Sequence, residues 1–141
     1  MLQKIILCFA FICMFSLVTT NSMAAGNKSP FLITGKLPHL TKLLMHQWDN
    51  PTLHLTKDQK TKLLVIRTET ISGVQTLSPQ VAMLQQQVTT GITNGKTPSE
   101  LKSTVEQLAQ LKAEATMLHL NCIYKTNAIL DKQQLDVLTQ K

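Results

Sequence analysis

Aromatic side chains make up only 4% of this 141-residue chain, and three of its four phenylalanines crowd into residues 9–15. Beyond that stretch only Phe31, Trp48 and Tyr124 remain. A core must therefore be assembled from Leu, Ile, Val, Met and Ala, which suits thin helix-on-helix packing and argues against a sheet or a deep catalytic pocket. Charge is sparse as well, at 16% of residues, and Arg67 is the only arginine. With scattered lysines and one guanidinium to grip phosphate, nucleic acid is not an expected partner. Eight acidic residues form no evident acid/base couple. The chain also lacks a Gly-x-Ser-x-Gly elbow, a His-Glu-x-x-His, a glycine-rich phosphate loop and a cysteine pair for redox exchange, so an enzyme is not expected. The one long apolar run, Ile5 to Val18, is about 14 residues, short of the roughly 20 that a spanning helix needs, so no stable membrane anchor is expected.

That run has a different reading. Lys4 precedes it, the polar Thr19-Thr20-Asn21-Ser22 follows, and Met23-Ala24-Ala25 closes the series. Charged, apolar and small-residue segments in that order form a secretory signal peptide. Small side chains at Ser22 and Ala24 place cleavage after Ala24, with Ala25 as the alternative. Cys13 follows Phe11 and Ile12, too bulky for a lipidation box. Residues 1–24 are thus expected to be removed and the mature protein to work in the periplasm of a Gram-negative cell. Loss of Lys4 from the fourteen basic residues leaves thirteen against eight acidic ones, a mature charge of +5. Cys122 becomes the single cysteine; in an oxidising compartment it is buried, bound to a metal, or paired with another chain.

Residues 25–36 show no sustained period and read as a flexible leader to one helical domain over 37–141. Pro38 suits a first helical position, and Leu40, Leu43, Leu44 and Trp48 follow at helical spacing, predicting a short helix over 38–48 that Asn50-Pro51 ends. Thr56 and Gln59 form a capping box behind Leu55 and open a long helix. Its stripe is Leu63, Ile66, Thr70, Val74, Leu77, Val81, Leu84, Val88 and Ile92, with a bend expected at Ser72-Gly73 and Pro79, and a stop at Gly91 and Asn94-Gly95. Thr97-Pro98-Ser99-Glu100 is a second capping box. It opens a third helix to about Ala128, striped by Leu101, Val105, Leu108, Leu111, Ala115, Leu118, Cys122 and Ile129. Asp131 and Gln134 repeat the capping logic behind Leu130, which can staple onto Leu135, and start a short fourth helix. The expectation is an all-α fold of four helices whose two long members, roughly 45–50 Å each, form a bent antiparallel hairpin. Such a hairpin cannot bury both faces alone, which predicts a homodimer.

Leu55-Thr56-Lys57-Asp58-Gln59 is a Leu-Thr-x-x-Gln pentapeptide, and Leu130-Asp131-Lys132-Gln133-Gln134 is a second copy with aspartate in place of threonine. A secreted all-helical chain with this pentapeptide at the starts of its second and last helices resembles the Spy/CpxP family, named for its LTXXQ pair. The resemblance spans roughly residues 37–140 and includes Pro38-His39-Leu40 and the break at Asn94-Gly95-Lys96-Thr97. It implies a cradle-shaped dimer whose concave face binds partly unfolded periplasmic proteins without nucleotide. Some members restrain an envelope-stress sensor kinase, and others bind transition metals or copper in metal resistance. The motif residues Leu55, Thr56, Gln59, Thr97, Glu100, Leu130, Asp131 and Gln134 are structural caps by their chemistry.

A client-binding surface mixes long-range charge with soft apolar contact. Lys42, Leu44, Met45, Trp48, Lys57, Lys60, Lys62, Arg67 and Met83 are the candidates, each also readable as ordinary solvated charge or core. No cofactor is expected for chaperoning. The metal alternative draws on His39, His46, His119 and Cys122. His119 and Cys122 are three apart and share a helix face, but a pair is an incomplete site. His39 and His46 stand two turns apart, roughly 10 Å, too far to share one ion comfortably; a second chain or Met45 and Met117 would have to complete the set. A lone cysteine on an apolar stripe is more often a small core residue, and His54, in a loop, reads as solvated.

Overall fold

The computed structural model describes residues 29–139; the expected signal peptide and the first part of the leader lie outside them. The described chain contains four α-helices, α1 (Leu40–His46), α2 (Lys57–Thr93), α3 (Pro98–Ile129) and α4 (Lys132–Thr139), with a 3-10 turn at Pro51–Leu53. No strand occurs among the described residues. The chain is all-helical, as its composition demands, and its two long helices pack together.

Side-chain oxygens set the helix starts. Thr56 Oγ1 accepts from the Gln59 amide at 3.1 Å while Gln59 Oε1 accepts from the Thr56 amide at 3.0 Å. Thr97 and Glu100 make the same exchange at 3.3 and 2.8 Å. Asp131 Oδ1 and Gln134 Oε1 complete it at 2.7 and 3.1 Å ahead of α4. Each box satisfies two amides that a helix start otherwise leaves without partners. The α1 helix is shorter than the expected 38–48. Pro38 lies outside it, and its N-cap is His39, whose side chain makes no capping bond.

Helix α2 runs unbroken through Pro79, although proline withholds the amide that would bond the Gln75 carbonyl. Nor does Gly91 end it. Gly91 is buried inside the helix, and a Cβ there would stand 2.6 Å from Leu101 Cδ2; at Gly73 it would stand 2.7 Å from Leu118 Cδ1. At both glycines α3 comes too close to α2 to leave room for a side chain. The pairings 91 with 101 and 73 with 118 make the hairpin antiparallel. Its turn is a Schellman stop: Lys96 N donates to Gly91 O at 2.9 Å, Gly95 N donates to Ile92 O at 3.1 Å, and Gly95 adopts φ 83°.

The largest apolar cluster lies at the open end of the hairpin, where Leu40, Leu44, Leu53, Leu63, Leu130 and Leu138 close on one another with Trp48, Leu55, Ile123 and Leu135 around them. Toward the turn only α2 and α3 remain, so the stripe thins. Val81, Leu84 and Leu101 are buried, whereas Ile92 and Val105 are 53% and 46% exposed. At the other end α3 meets both α2 and α1, and its buried face widens to take in Thr116, His119 and Thr126. A one-partner stripe does not anticipate those three.

Candidate functional site

The two amide-bearing caps, Gln59 and Gln134, are bonded to each other. Gln59 Nε2 donates to Gln134 Oε1 at 2.9 Å and Gln134 Nε2 donates to Gln59 Oε1 at 3.2 Å. Their remaining protons go to the Ile129 and Leu53 carbonyls at 3.0 and 3.1 Å. Every polar position of both amides is thereby used, and the starts of α2 and α4 are tied to the end of α3 and to the 3-10 turn. This accounts physically for a glutamine at the fifth position of both pentapeptides: glutamate has no proton to give.

α1 packs on the leucine cluster through Leu40 and Leu44, and beside it opens a cavity of about 500 Å³. From α1 and its cap it takes His39, Leu40, Thr41, Lys42, Met45 and His46; from α2, Arg67, Thr70, Ile71, Val74 and Gln75; from α3, His119 and Cys122; and from the segment before α1, Phe31. Three client candidates, Lys42, Met45 and Arg67, therefore share one wall system with all four metal candidates. The remaining candidates lie elsewhere. Lys60 Nζ sits 5.4 Å from the Trp48 ring centroid and 3.2 Å from Asp49 Oδ1, Lys62 pairs with Asp58 at 2.7 Å, and Lys57 and Met83 are exposed. Leu44 is corrected by the structure: at 1% exposure it is core, because its turn of α1 faces the leucine cluster, and it presents nothing to a client.

Phe31 was not anticipated in the site. The segment 29–36 is not helical, yet it is fastened to α3: Leu32 N donates to Thr116 Oγ1 at 2.9 Å, and the Phe31 ring lies 5.2 Å from that of His119. The apolar run Phe31-Leu32-Ile33 inside an otherwise polar leader is the signal that could have revealed it.

His39 and His119 stack, centroids 4.5 Å apart and planes 16° from parallel. Nitrogen lone pairs lie in the ring plane, so two nearly parallel rings do not aim at a common ion. Cys122, 4% exposed, has its Sγ 3.7 Å from Thr41 Oγ1, and no group of three or more His, Cys, Asp or Glu among the described residues is placed to hold a metal ion. His119 is 5% exposed and its Nε2 has no hydrogen-bond partner. Burial pushes its pKa below the ordinary histidine value and the neighbouring His39 adds to the effect, while a bond to the Pro38 carbonyl opposes both. Among the described residues no acidic side chain lines the cavity. Lys42 and Arg67 take part in none of the ion pairs among the described residues.

No family model matches the chain, and no curated protein and no solved structure matches it. Among the described residues no helix is long and apolar enough to cross a membrane.

Proposed function

We propose that this chain is a non-enzymatic, ATP-independent chaperone of the Spy/CpxP type, exported by residues 1–24 and working in the periplasm on unfolding clients as a cradle-shaped homodimer. The observation that carries the reading is that large apolar side chains stand open on both long helices while several cations have no ion-pair partner. Leu64, Val65, Ile71, Met83, Met117 and Tyr124 are exposed, the last at 75%, while Lys42, Lys57 and Arg67 have no acidic partner among the described residues. Charge of one sign draws in an acidic unfolded chain, and scattered apolar contacts hold it without a fixed shape. Exposed apolar residues on both long helices also support a second copy packing along the hairpin. The mutual bonding of Gln59 and Gln134 supports the resemblance, because it gives the paired pentapeptides one joint structural purpose.

The metal-binding alternative uses the same cavity but requires His39 and His119 to unstack. A titration of a fluorescently labelled, permanently unfolded acidic polypeptide with the mature chain, followed by anisotropy, separates the two. The chaperone reading expects binding that survives excess chelator and weakens as salt rises. Binding that vanishes with chelator would transfer the function to a metal, and no binding under either condition would leave an adaptor role toward an envelope sensor.

A further inference from the structure

The cavity beside α1 has features that a general client-holding surface does not need. Its volume, about 500 Å³, lies within the roughly 300–1,000 Å³ range of small-molecule sites. Its polarity is divided along one direction. Arg67, Ile71 and Val74 follow one another at helical spacing on α2 and all line the cavity, so the guanidinium stands at one end of an apolar strip. Across from them α1 runs antiparallel, His39 resting on His119 and Trp48 near Lys60, and it adds Lys42 to the lining near Arg67. Thr70, the one hydroxyl on the α2 wall, already donates to Ile66 O at 2.8 Å. The two free cations are therefore the strongest unmet hydrogen-bond donors of the site. At its inner wall is His119, at least nine-tenths buried, with Nε2 unpartnered. That nitrogen is itself inaccessible, so the lining cations and not His119 define the polar end of the cavity.

From these observations we infer that the cavity binds a small amphiphile with a single carboxylate head, gripped by Arg67 and Lys42, and an unbranched apolar tail lying along the Ile71–Val74 strip. The sign of the head follows from the two unpaired cations and the absence of any lining carboxylate; a planar carboxylate matches the guanidinium fork. The tail follows from the aliphatic walls. The site shares Lys42, Arg67 and Ile71 with the proposed client surface, but it does not rest on that reading, since its ligand is measured with no client present.

The test is calorimetric titration of the full mature chain with dodecanoate below its micelle concentration, beside dodecyltrimethylammonium, dodecanol and acetate. Dodecanoate is expected to bind one per chain, at least about tenfold tighter than the cation, the alcohol or the tailless acid, the factor expected for one charge-assisted pair. Arg67→Gln and Lys42→Gln, both on the open side of the cavity, should each weaken it by about five- to tenfold. Lys102→Gln, beside the separate apolar groove formed by Val88, Ile92 and Val105, should leave the affinity unchanged. The His39 and His119 ring proton resonances should shift on titration. Equal binding of the ammonium and the carboxylate, or an equal loss with Lys102→Gln, would overturn the inference by reducing the site to unselective apolar surface. Absence of dodecanoate binding by a chain that still holds unfolded polypeptide would overturn it while leaving the chaperone reading intact.

Discussion

Gln59 and Gln134 show how much one residue type can decide. Each uses its carbonyl to cap its own helix and its amide protons to reach across the fold. Gln134→Glu keeps the size and removes the donor, setting a carboxylate against Leu53 O and Gln59 Oε1. Urea unfolding should report a loss of about 3 kcal/mol, the cost of breaking a buried pair and stranding its partners. Asp131→Thr, which restores the usual motif residue, should stay within about 0.5 kcal/mol, because either side chain caps. Thr126 presents the opposite case: it is fully buried and its hydroxyl has no partner. Thr126→Val replaces the hydroxyl by a methyl of similar shape, and a gain of about 1 kcal/mol is expected in the same assay. His119 adds a pH dependence. Its pKa in the folded chain is depressed below 6.5, so above that value neither folded nor unfolded chain holds the proton and stability is unaffected. Below it the unfolded chain is protonated first, and stability falls until the lower folded pKa is passed. Unfolding free energies measured from about pH 7.5 to about pH 5.5 should decline in the native chain and decline less in His119→Phe.

Helix starts and stops were legible because their chemistry is local. A threonine or aspartate with a glutamine or glutamate three residues on marks a box where the helical period restarts after a break, as at 56, 97 and 131, whereas Thr104 and Gln107 have the same spacing inside α3 and form none. Where the deciding force was tertiary, sequence reasoning gave less. Pro38 suited a first helical position, yet α1 begins at Leu40, since the residues before it are committed to α3 through Phe31 and Leu32. Gly91 resembled a stop and is instead a contact point, because helix α3 comes too close there for a side chain. Gly95 is the true terminator, with φ 83° and open space around it. Gly95→Ala should therefore cost about 1 kcal/mol through backbone strain alone, measurable as a lowered thermal midpoint with no change in helical content.

At the scale of the molecule the four-helix, all-helical character followed from composition and periodicity, whereas the cavity did not. Lys42, Met45, Arg67, His39, His46, His119 and Cys122 were each singled out for a property of their own, but no spacing rule says that the first helix will lie along the open half of the hairpin. That placement depends on the leucine cluster, to which α1 gives Leu40 and Leu44 and which is built from residues far apart in sequence. The same uneven packing, thick at the open end and a single pair of helices toward the turn, leaves Met83, Ile92 and Val105 uncovered. We propose that these uncovered side chains, together with the unpaired cations of α1 and α2, hold unfolding proteins without nucleotide or metal. Light scattering from a chemically unfolded client diluted into buffer, with near-equimolar mature chain, no ATP and excess chelator, is the decisive measurement. Suppressed scattering, partly restored by added salt, is the expected result; aggregation as fast and as complete as without the protein would refute the proposal.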